Sequence, residues 1–409
     1  MSGLIVELLR HIGSRKEVEQ YLRHYASSDA PKLAVVKVGS STLRASIDGL
    51  AASLSFLHRV GLRPVVILDG EPRDGGEAAR RAIQRDALRL ADALDAAGTR
   101  ARPLTSAVFD AVGDAQPAEV LGVRDDAIAT TLRAGLLPVI APLGETRDGR
   151  VAAVDSDAAA CALAAALGPH KVIFLTEAGG LCDARGDVVA AVNLLEDYDA
   201  IMSAGGIGPD ARARLERIAA LLRILPPASS VSITSPDHLA RELFTHRGSG
   251  TLVRVGERVR SHATFASIDT ARLGALLERC FGRKLDPAYF ETRAPLRIYL
   301  AESYRAAAIF TREADIPYLD KFAVTTEAQG EGIGGSLWRK MALDHPRFFW
   351  RARAENPINA WYAQTADGFQ RTREWVVFWI GLRDFRDIAA CVERAAALPP
   401  TLRDHGSDG

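Results

Sequence analysis

Gln329-Gly330-Glu331-Gly332-Ile333-Gly334-Gly335 follows the apolar run Tyr318-Leu319-Asp320-Lys321-Phe322-Ala323-Val324 and leads into Ser336-Leu337-Trp338-Arg339-Lys340-Met341-Ala342-Leu343, whose apolar residues recur at helical spacing. A strand, a glycine-rich turn and a helix start, in that order, form an anion site. Glycine lets backbone N–H groups approach a phosphate, and the helix N-terminus adds partial positive charge. A glycine cluster alone serves tight turns just as readily, so the rest of the chain decides what this one means.

At 409 residues the chain exceeds the size at which single cores stop growing, and two domains are expected. Lys+Arg and Asp+Glu balance at 51 each, so no global field gathers nucleic acid or anionic membrane, and an anionic ligand must meet a local site. The four cysteines (Cys161, Cys182, Cys280, Cys391) are scattered, without a C-x-x-C or clustered histidines. That pattern disfavours a disulfide framework or a zinc site, and a reducing cytoplasm with no metal is expected. Residues 1–10 are too charged for a signal peptide, and no stretch reaches about 18 apolar residues.

Helical spacing over residues 4–25, broken at Gly13, predicts a helical arm at residues 1–30. Apolar strands are expected at 33–39, 64–68, 136–140, 171–176 and 231–233. Helices are expected at 47–59, 77–97, 127–134, 157–167, 212–225 and 237–244. This alternation argues for a mostly parallel sheet covered on both faces. Residues 248–253 read as its closing strand, with a boundary where the chain turns polar at 255–266. Beyond it come a helix at 270–278, strands at 296–300, 306–310 and 316–324, the glycine loop with its helix, and aromatic strands at 348–353 and 375–380.

The C-terminal third carries an ordered series. It runs from Tyr318-Leu319-Asp320-Lys321-Phe322-Ala323-Val324 through the glycine loop to Phe349-Trp350-Arg351-Ala352-Arg353 and Asn356-Pro357-Ile358-Asn359-Ala360-Trp361-Tyr362, then Asp367-Gly368 and residues 375–382. The series resembles the acetyltransferase domain of vertebrate-type N-acetylglutamate synthases and of the bifunctional synthase/kinases. Lys37-Val38-Gly39, residues 175–181 and residues 242–251 resemble the amino-acid-kinase domain of the same family. The implied fold class is α/β: an amino-acid-kinase-like, open, mostly parallel sheet sandwiched by helices at 31–256, a smaller GNAT-type acetyltransferase domain at 257–400, and a disordered tail at 401–409.

The kinase motifs depart from the family pattern. The paired glycines after the first lysine read Gly39-Ser40. The second phosphate loop is replaced by Leu68-Asp69-Gly70-Glu71-Pro72-Arg73-Asp74, and the lid segment is largely deleted. Asp210 stands near the position of the lysine that meets the transferring phosphate. Phosphoryl transfer depends on positive charge around the phosphate, so the expectation is a kinase-like domain without kinase activity.

For acetyl transfer, the Q-x-x-G-x-G form of residues 329–334 implies that Gly330, Gly332 and Gly334, with Gln329, Glu331 and Ile333, cradle the pyrophosphate of acetyl-CoA. Phe322, Ala323 and Val324 would pair with the pantetheine arm and offer an oxyanion donor. The resemblance assigns Lys321 to a carboxylate of the acceptor. Arg351 and Arg353 alternate on a strand and share a face, with guanidinium geometry suited to carboxylates; which one points inward is open. Asn356 is expected to orient the amine or a water, Tyr362 to protonate the departing thiolate, and Asn359 to add a polar contact. No histidine or glutamate stands out as a general base.

The implied enzyme transfers acetyl from acetyl-CoA to the α-amine of L-glutamate, the entry step of arginine synthesis. The alternatives are transfer to another amino acid or pathway intermediate, a non-catalytic arginine-binding regulator, and retained kinase activity. Arginine binding is expected to involve Tyr21, Glu242, His246, Gly248 and Gly250. The resemblance also implies a homo-oligomer, dimer or tetramer, with no nucleic-acid or membrane partner.

Overall fold

The structure is a computed structural model that describes residues 33–70, 77–106, 108–113, 117–169, 171–203, 205, 207–226, 229–244, 250–313, 315–329 and 332–403. The chain forms two compact units that divide between Val255 and Gly256. The expected arm at residues 1–30, and with it Tyr21, lies outside the described residues.

In the first unit, strands β1 (Leu33–Val38), β2 (Arg63–Leu68), β3 (Ala101–Leu104), β4 (Leu137–Ile140), β5 (Lys171–Leu175), β6 (Ala191–Asn193), β7 (Ser230–Thr234) and β8 (Thr251–Arg254) form a sheet of order β6-β8-β7-β5-β1-β2-β4-β3. All neighbours are parallel except β7 and β8. Helices α1 (Ile47–Arg59), α2 (Glu77–Ala96), α3 (Ser156–Leu167), α4 (Pro209–Ile224) and α5 (Leu239–Phe244) accompany the strands. Alternate residues of β1 enter different cores: Val36 and Val38 join Leu50, Leu54 and Leu57 of α1, and Val35 joins Leu163 of α3 and Leu215 of α4. A strand buried on both faces needs apolar residues throughout, which is why these strands read as unbroken apolar runs. A separate four-stranded sheet (Phe109–Val112, Glu119–Val123, Leu143–Thr146, Val151–Ala153) was not foreseen. Its strands are only three to five residues long, too short for a period of two to stand out from turn sequence.

The second unit is a seven-stranded sheet of order β9-β11-β12-β13-β14-β16-β15. Its elements in chain order are β9 (Val259–His262), α6 (Thr270–Phe281), β10 (Lys284–Leu285), β11 (Pro295–Ala301), β12 (Ala306–Arg312), β13 (Pro317–Val324), α7 (Thr326–Gln329), α8 (Ile333–Asp344), β14 (Phe348–Arg353), α9 (Asn359–Thr365), β15 (Gly368–Arg371), β16 (Trp375–Ile380), α10 (Phe385–Ala397) and β17 (Leu402–Arg403). Every neighbouring pair is antiparallel except β13 and β14, which are parallel. One core lies under α8 and α9, and two more pack on α6 and α10.

Two expectations change here. The polar stretch at 255–266 contains β9, an edge strand paired with β11 in which Val259 is buried and Arg260 and Ser261 are exposed. In the tail expected to be disordered from residue 401, residues 401–403 are ordered. Leu402 and Arg403 pair with Leu285 and Lys284, and Asp286 N donates to the Thr401 carbonyl at 3.0 Å. Two ladder positions and this bond anchor a sequence too short and polar to announce a strand. Among the described residues, no helix is long and apolar enough to cross a membrane.

Gly250, one of the residues named for arginine, has a packing constraint of its own. A Cβ there would run into the Ile233 carbonyl oxygen and lie 2.6 Å from that of Gly179. Gly250→Ala is expected to cost about 2–3 kcal/mol, measured by chemical denaturation; unchanged stability would show that these backbones are not in close contact.

Candidate active site

The parallel junction between β13 and β14 consists of one register pair, Tyr318 with Phe349. Beyond it, β13 remains paired with β12 and β14 with β16, so the facing edges of residues 320–324 and 351–353 share no ladder. Backbone groups there are left for other partners. On its other side β13 carries a bulge. Ile309 pairs with Lys321 but Phe310 pairs with Leu319, leaving Asp320 as the extra residue. Successive strand side chains ordinarily point to opposite faces; across this bulge the Asp320 carboxylate meets the Lys321 ammonium at 2.8 Å.

On one face of the junction, Phe322 and Val324 pack toward α8, with Phe322 edge-on to Trp338 at 5.3 Å. The glycine loop does not follow the strand directly as expected, because α7 intervenes. Thr325 initiates it: its Oγ1 accepts from Ala328 N at 3.3 Å and its carbonyl from Gln329 N at 3.0 Å. The Gln329 amide donates back to the Val324 carbonyl at 3.2 Å. Gly330 and Glu331 lie outside the described residues. Gly332 caps α8 with φ 81°, a left-handed conformation that favours glycine. Gly334 lets the helix close on the strand: a Cβ there would lie 3.2 Å from Val324 Cγ2. Ser336 N is bonded to the Gly332 carbonyl, and helix geometry leaves the N–H groups of Ile333, Gly334 and Gly335 without intrahelical acceptors. Arg339 donates to Ser336 Oγ at 3.2 Å, adding a cation at this helix start. That pair has no motif beyond helical i,i+3 spacing, so the sequence did not mark it.

The opposite face gathers cations. Lys321 is 4% exposed, and besides Asp320 it donates to Thr401 Oγ1 at 2.6 Å and lies 4.9 Å from the Tyr289 ring. Tyr289 in turn donates to Asp320 at 2.6 Å. Burial lowers the Lys321 pKa while Asp320 opposes that shift. Burial pushes the Asp320 carboxyl up, but Lys321 and the Tyr289 bond outweigh it and hold it below its usual value. Arg351 and Arg353 both lie over Trp375, at 3.9 and 4.9 Å. Arg351 donates to the carbonyls of Ala395 (2.5 Å), Leu398 (2.8 Å) and Pro399 (3.2 Å), closing the C-terminal end of α10. Among the described residues, the buried Nε–H of Arg353 has no hydrogen-bond partner. The sequence reading passed over α10 itself. Its signals were Asp384, whose carboxylate accepts from Arg386 N at 2.8 Å, and the buried Cys391, Val392 and Ala395.

Tyr362 projects from α9 into the core under α8, 5% exposed, with Phe378 at 5.3 Å, Trp350 at 5.4 Å and Trp338 at 6.0 Å. Burial raises its phenol pKa well above the usual range, keeping it a proton donor at neutral pH. Among the described residues, none is hydrogen-bonded to its hydroxyl. Asn356 Oδ1 accepts from Ile358 N at 3.2 Å in the turn before α9, and Asn359 Nδ2 donates to the Arg353 carbonyl at 2.8 Å.

In the first unit, Lys37 is 4% exposed and its ammonium lies 2.9 Å from Asp157 and 3.3 Å from Asp69. Arg214 holds the other Asp157 oxygen at 3.0 Å. Burial raises the Asp157 pKa, and Lys37 with Arg214 overcomes this to lower it. Asp210 stands exposed in the first turn of α4. Glu242 is 2% exposed, accepting from Ser232 Oγ at 2.7 Å and pairing with Lys171 at 3.3 Å. His246 and Gly248 lie outside the described residues. Among the described residues, no three His, Cys, Asp or Glu side chains gather as a metal site.

An acyltransferase sheet opened at one parallel junction, preceded by a doubly covered parallel sheet, defines a two-domain N-acetyltransferase with an amino-acid-kinase-like domain. Residues 258–397 match the family model "NAT, N-acetyltransferase, of N-acetylglutamate synthase", and residues 32–215 match the amino acid kinase family. Acetylglutamate kinase of Xylella fastidiosa is 42% identical over 96% of this chain and all of that protein. The mitochondrial N-acetylglutamate synthase of Homo sapiens is 34% identical over 97% of this chain and 77% of that protein. A crystal structure of N-acetylglutamate synthase from Neisseria gonorrhoeae complexed with coenzyme A and L-arginine shares the fold at TM-score 0.53, with 19% identity over 90% of this chain and 98% of that one. The chain belongs to the bifunctional N-acetylglutamate synthase/kinase family.

Because Asp320 titrates below the usual 3.8, its pair with Lys321 adds stability at neutral pH that is lost as pH falls through the folded value. Asp320→Asn strands a buried ammonium and is expected to cost about 3 kcal/mol at pH 7. Its Tm should also fall less steeply than wild type below about pH 4. Parallel pH profiles of Tm would show that this carboxylate is not coupled to folding.

Proposed function

We propose that the protein is an N-acetylglutamate synthase, transferring acetyl from acetyl-CoA to the α-amino group of L-glutamate in arginine biosynthesis. The observation that carries this reading is the junction open beyond Tyr318 and Phe349, with cations on one face and, on the other, a buried phenol unbonded among the described residues. The α8 N-terminus receives the pyrophosphate of acetyl-CoA, and the close fit of Gly334 on Val324 sets it beside the unpaired edge of β13. That edge pairs with the pantetheine arm, and a backbone N–H of residues 322–324 stabilises the oxyanion formed when the neutral amine attacks the thioester carbonyl. Lys321 and Arg353 hold the carboxylates of the acceptor, Lys321 exchanging its Thr401 contact for one of them. Arg351 shapes this face through α10. As the tetrahedral intermediate collapses and the C–S bond breaks, Tyr362 gives its proton to the departing thiolate, and Asn356 orients the amine.

The similarity to an acetylglutamate kinase supports a second reading in which the first unit transfers phosphate. Against it, Lys37 is already neutralised by Asp69 and Asp157, and Asp210 places negative charge near where a lysine would meet phosphate. We therefore read this unit as a scaffold, with arginine as an effector of a cytoplasmic homo-oligomer. The synthase from Neisseria gonorrhoeae complexed with L-arginine supports the effector.

With glutamate and acetyl-CoA, thiol release is expected to be robust, and ATP turnover with N-acetylglutamate absent. Tyr362→Phe should lower kcat by about 10²-fold or more with KM for both substrates little changed; full activity would remove the phenol from the mechanism. Millimolar arginine should shift both activity and Tm, and no change in either would remove the effector role.

A further inference from the structure

Lys321 is 4% exposed, so no solute reaches its ammonium until something around it moves. Among the described residues, its polar and ring contacts are the Asp320 carboxylate at 2.8 Å, the Tyr289 ring at 4.9 Å and the Thr401 hydroxyl at 2.6 Å. Asp320 is its neighbour on β13, and Tyr289 is buried in the core that packs on α6. Thr401 belongs to a different kind of segment. Pro399 and Pro400 before it and Arg403 after it are exposed, and the two prolines have no N–H to donate. The segment leaves α10 with the Leu398 and Pro399 carbonyls on Arg351 of β14, and it reaches Lys321 of β13 at Thr401. It therefore runs, on the cationic face, from one strand of the open junction to the other. Its far end is held by the Asp286 N–H on the Thr401 carbonyl, two ladder positions with β10 and an Arg403–Asp286 ion pair at 3.2 Å. Exposed ion pairs contribute little, and so short an edge ladder opens readily.

Resting on the reading of Lys321 as an acceptor-binding group, we propose that residues 399–403 are a strap that seals Lys321 in the empty protein and lifts when an acceptor carboxylate replaces the Thr401 hydroxyl. A carboxylate is the stronger partner for an ammonium, so it wins the exchange. Its apparent affinity is lowered by the cost of releasing the strap. A ligand without an anionic group at this position does not open it, and between turnovers the hydroxyl keeps the buried ammonium paired.

Glutamate titrated into the protein loaded with desulfo-CoA, which has no thiol, tests this. Thr401→Val removes the hydroxyl and keeps the shape, and it is expected to tighten glutamate binding by about three- to tenfold, with Thr401→Ser unchanged. A hydroxyl that only held Lys321 in place would weaken binding when lost, so weaker or unchanged binding in Thr401→Val overturns the proposal. Lys284 and Arg403 are exposed register partners, and residues opposed across a ladder lie close enough for a disulfide. With Lys284→Cys and Arg403→Cys combined, the oxidised protein is expected to bind glutamate about tenfold or more weakly than the reduced protein, with desulfo-CoA affinity equal in both. Equal glutamate affinity in the two states overturns the strap and leaves the acceptor reading standing. If wild type binds no glutamate, the acceptor reading fails and the proposal with it. If Thr401→Val does not fold, the oxidised and reduced pair decides.

Discussion

The second unit depends on a restriction in hydrogen bonding: β13 and β14 meet at one residue pair and then go separate ways. A parallel pair closed along its whole length would have satisfied its backbone groups internally and presented a continuous surface. Left open, it sets an unpaired strand edge between an aromatic core and a group of cations. Each side is kept rigid by different means. The aromatic side relies on packing, with Trp338, Trp350, Phe378 and Tyr362 in mutual contact. The cationic side relies on charge compensation, with Asp320 paired to Lys321 and the α10 carbonyls paired to Arg351.

Much of this was legible in the sequence because the relevant elements are long and periodic. The strands of the first unit are unbroken apolar runs, and α1 begins and ends where its pattern does. Strand alternation placed Arg351 and Arg353 on one face. It could not tell them apart, since the difference lies in what α10 delivers from more than forty residues away. The bulge at Asp320 was also invisible: an extra residue in a strand shows only in the register of its neighbour. The anchoring of Thr401 to Lys321 joins residues 80 apart, a separation that no local pattern encodes.

Both units hold buried charge by compensation. Lys37, in the first, is enclosed by two carboxylates, and Arg214 completes a neutralised cluster that resembles an internal cross-link more than a phosphate site. In the second, Asp320 pairs with Lys321 in the same way, and the Arg353 Nε–H, over Trp375, is unmet among the described residues. Desolvation is costly for every such group.

The shared indole of Trp375 bears on this point. Two guanidinium groups lie over one ring, and a π face attracts cations without cancelling their repulsion for each other. The strand that carries both residues sets them over the same ring, so losing the indole would release Arg353 while Arg351 kept its three carbonyl partners.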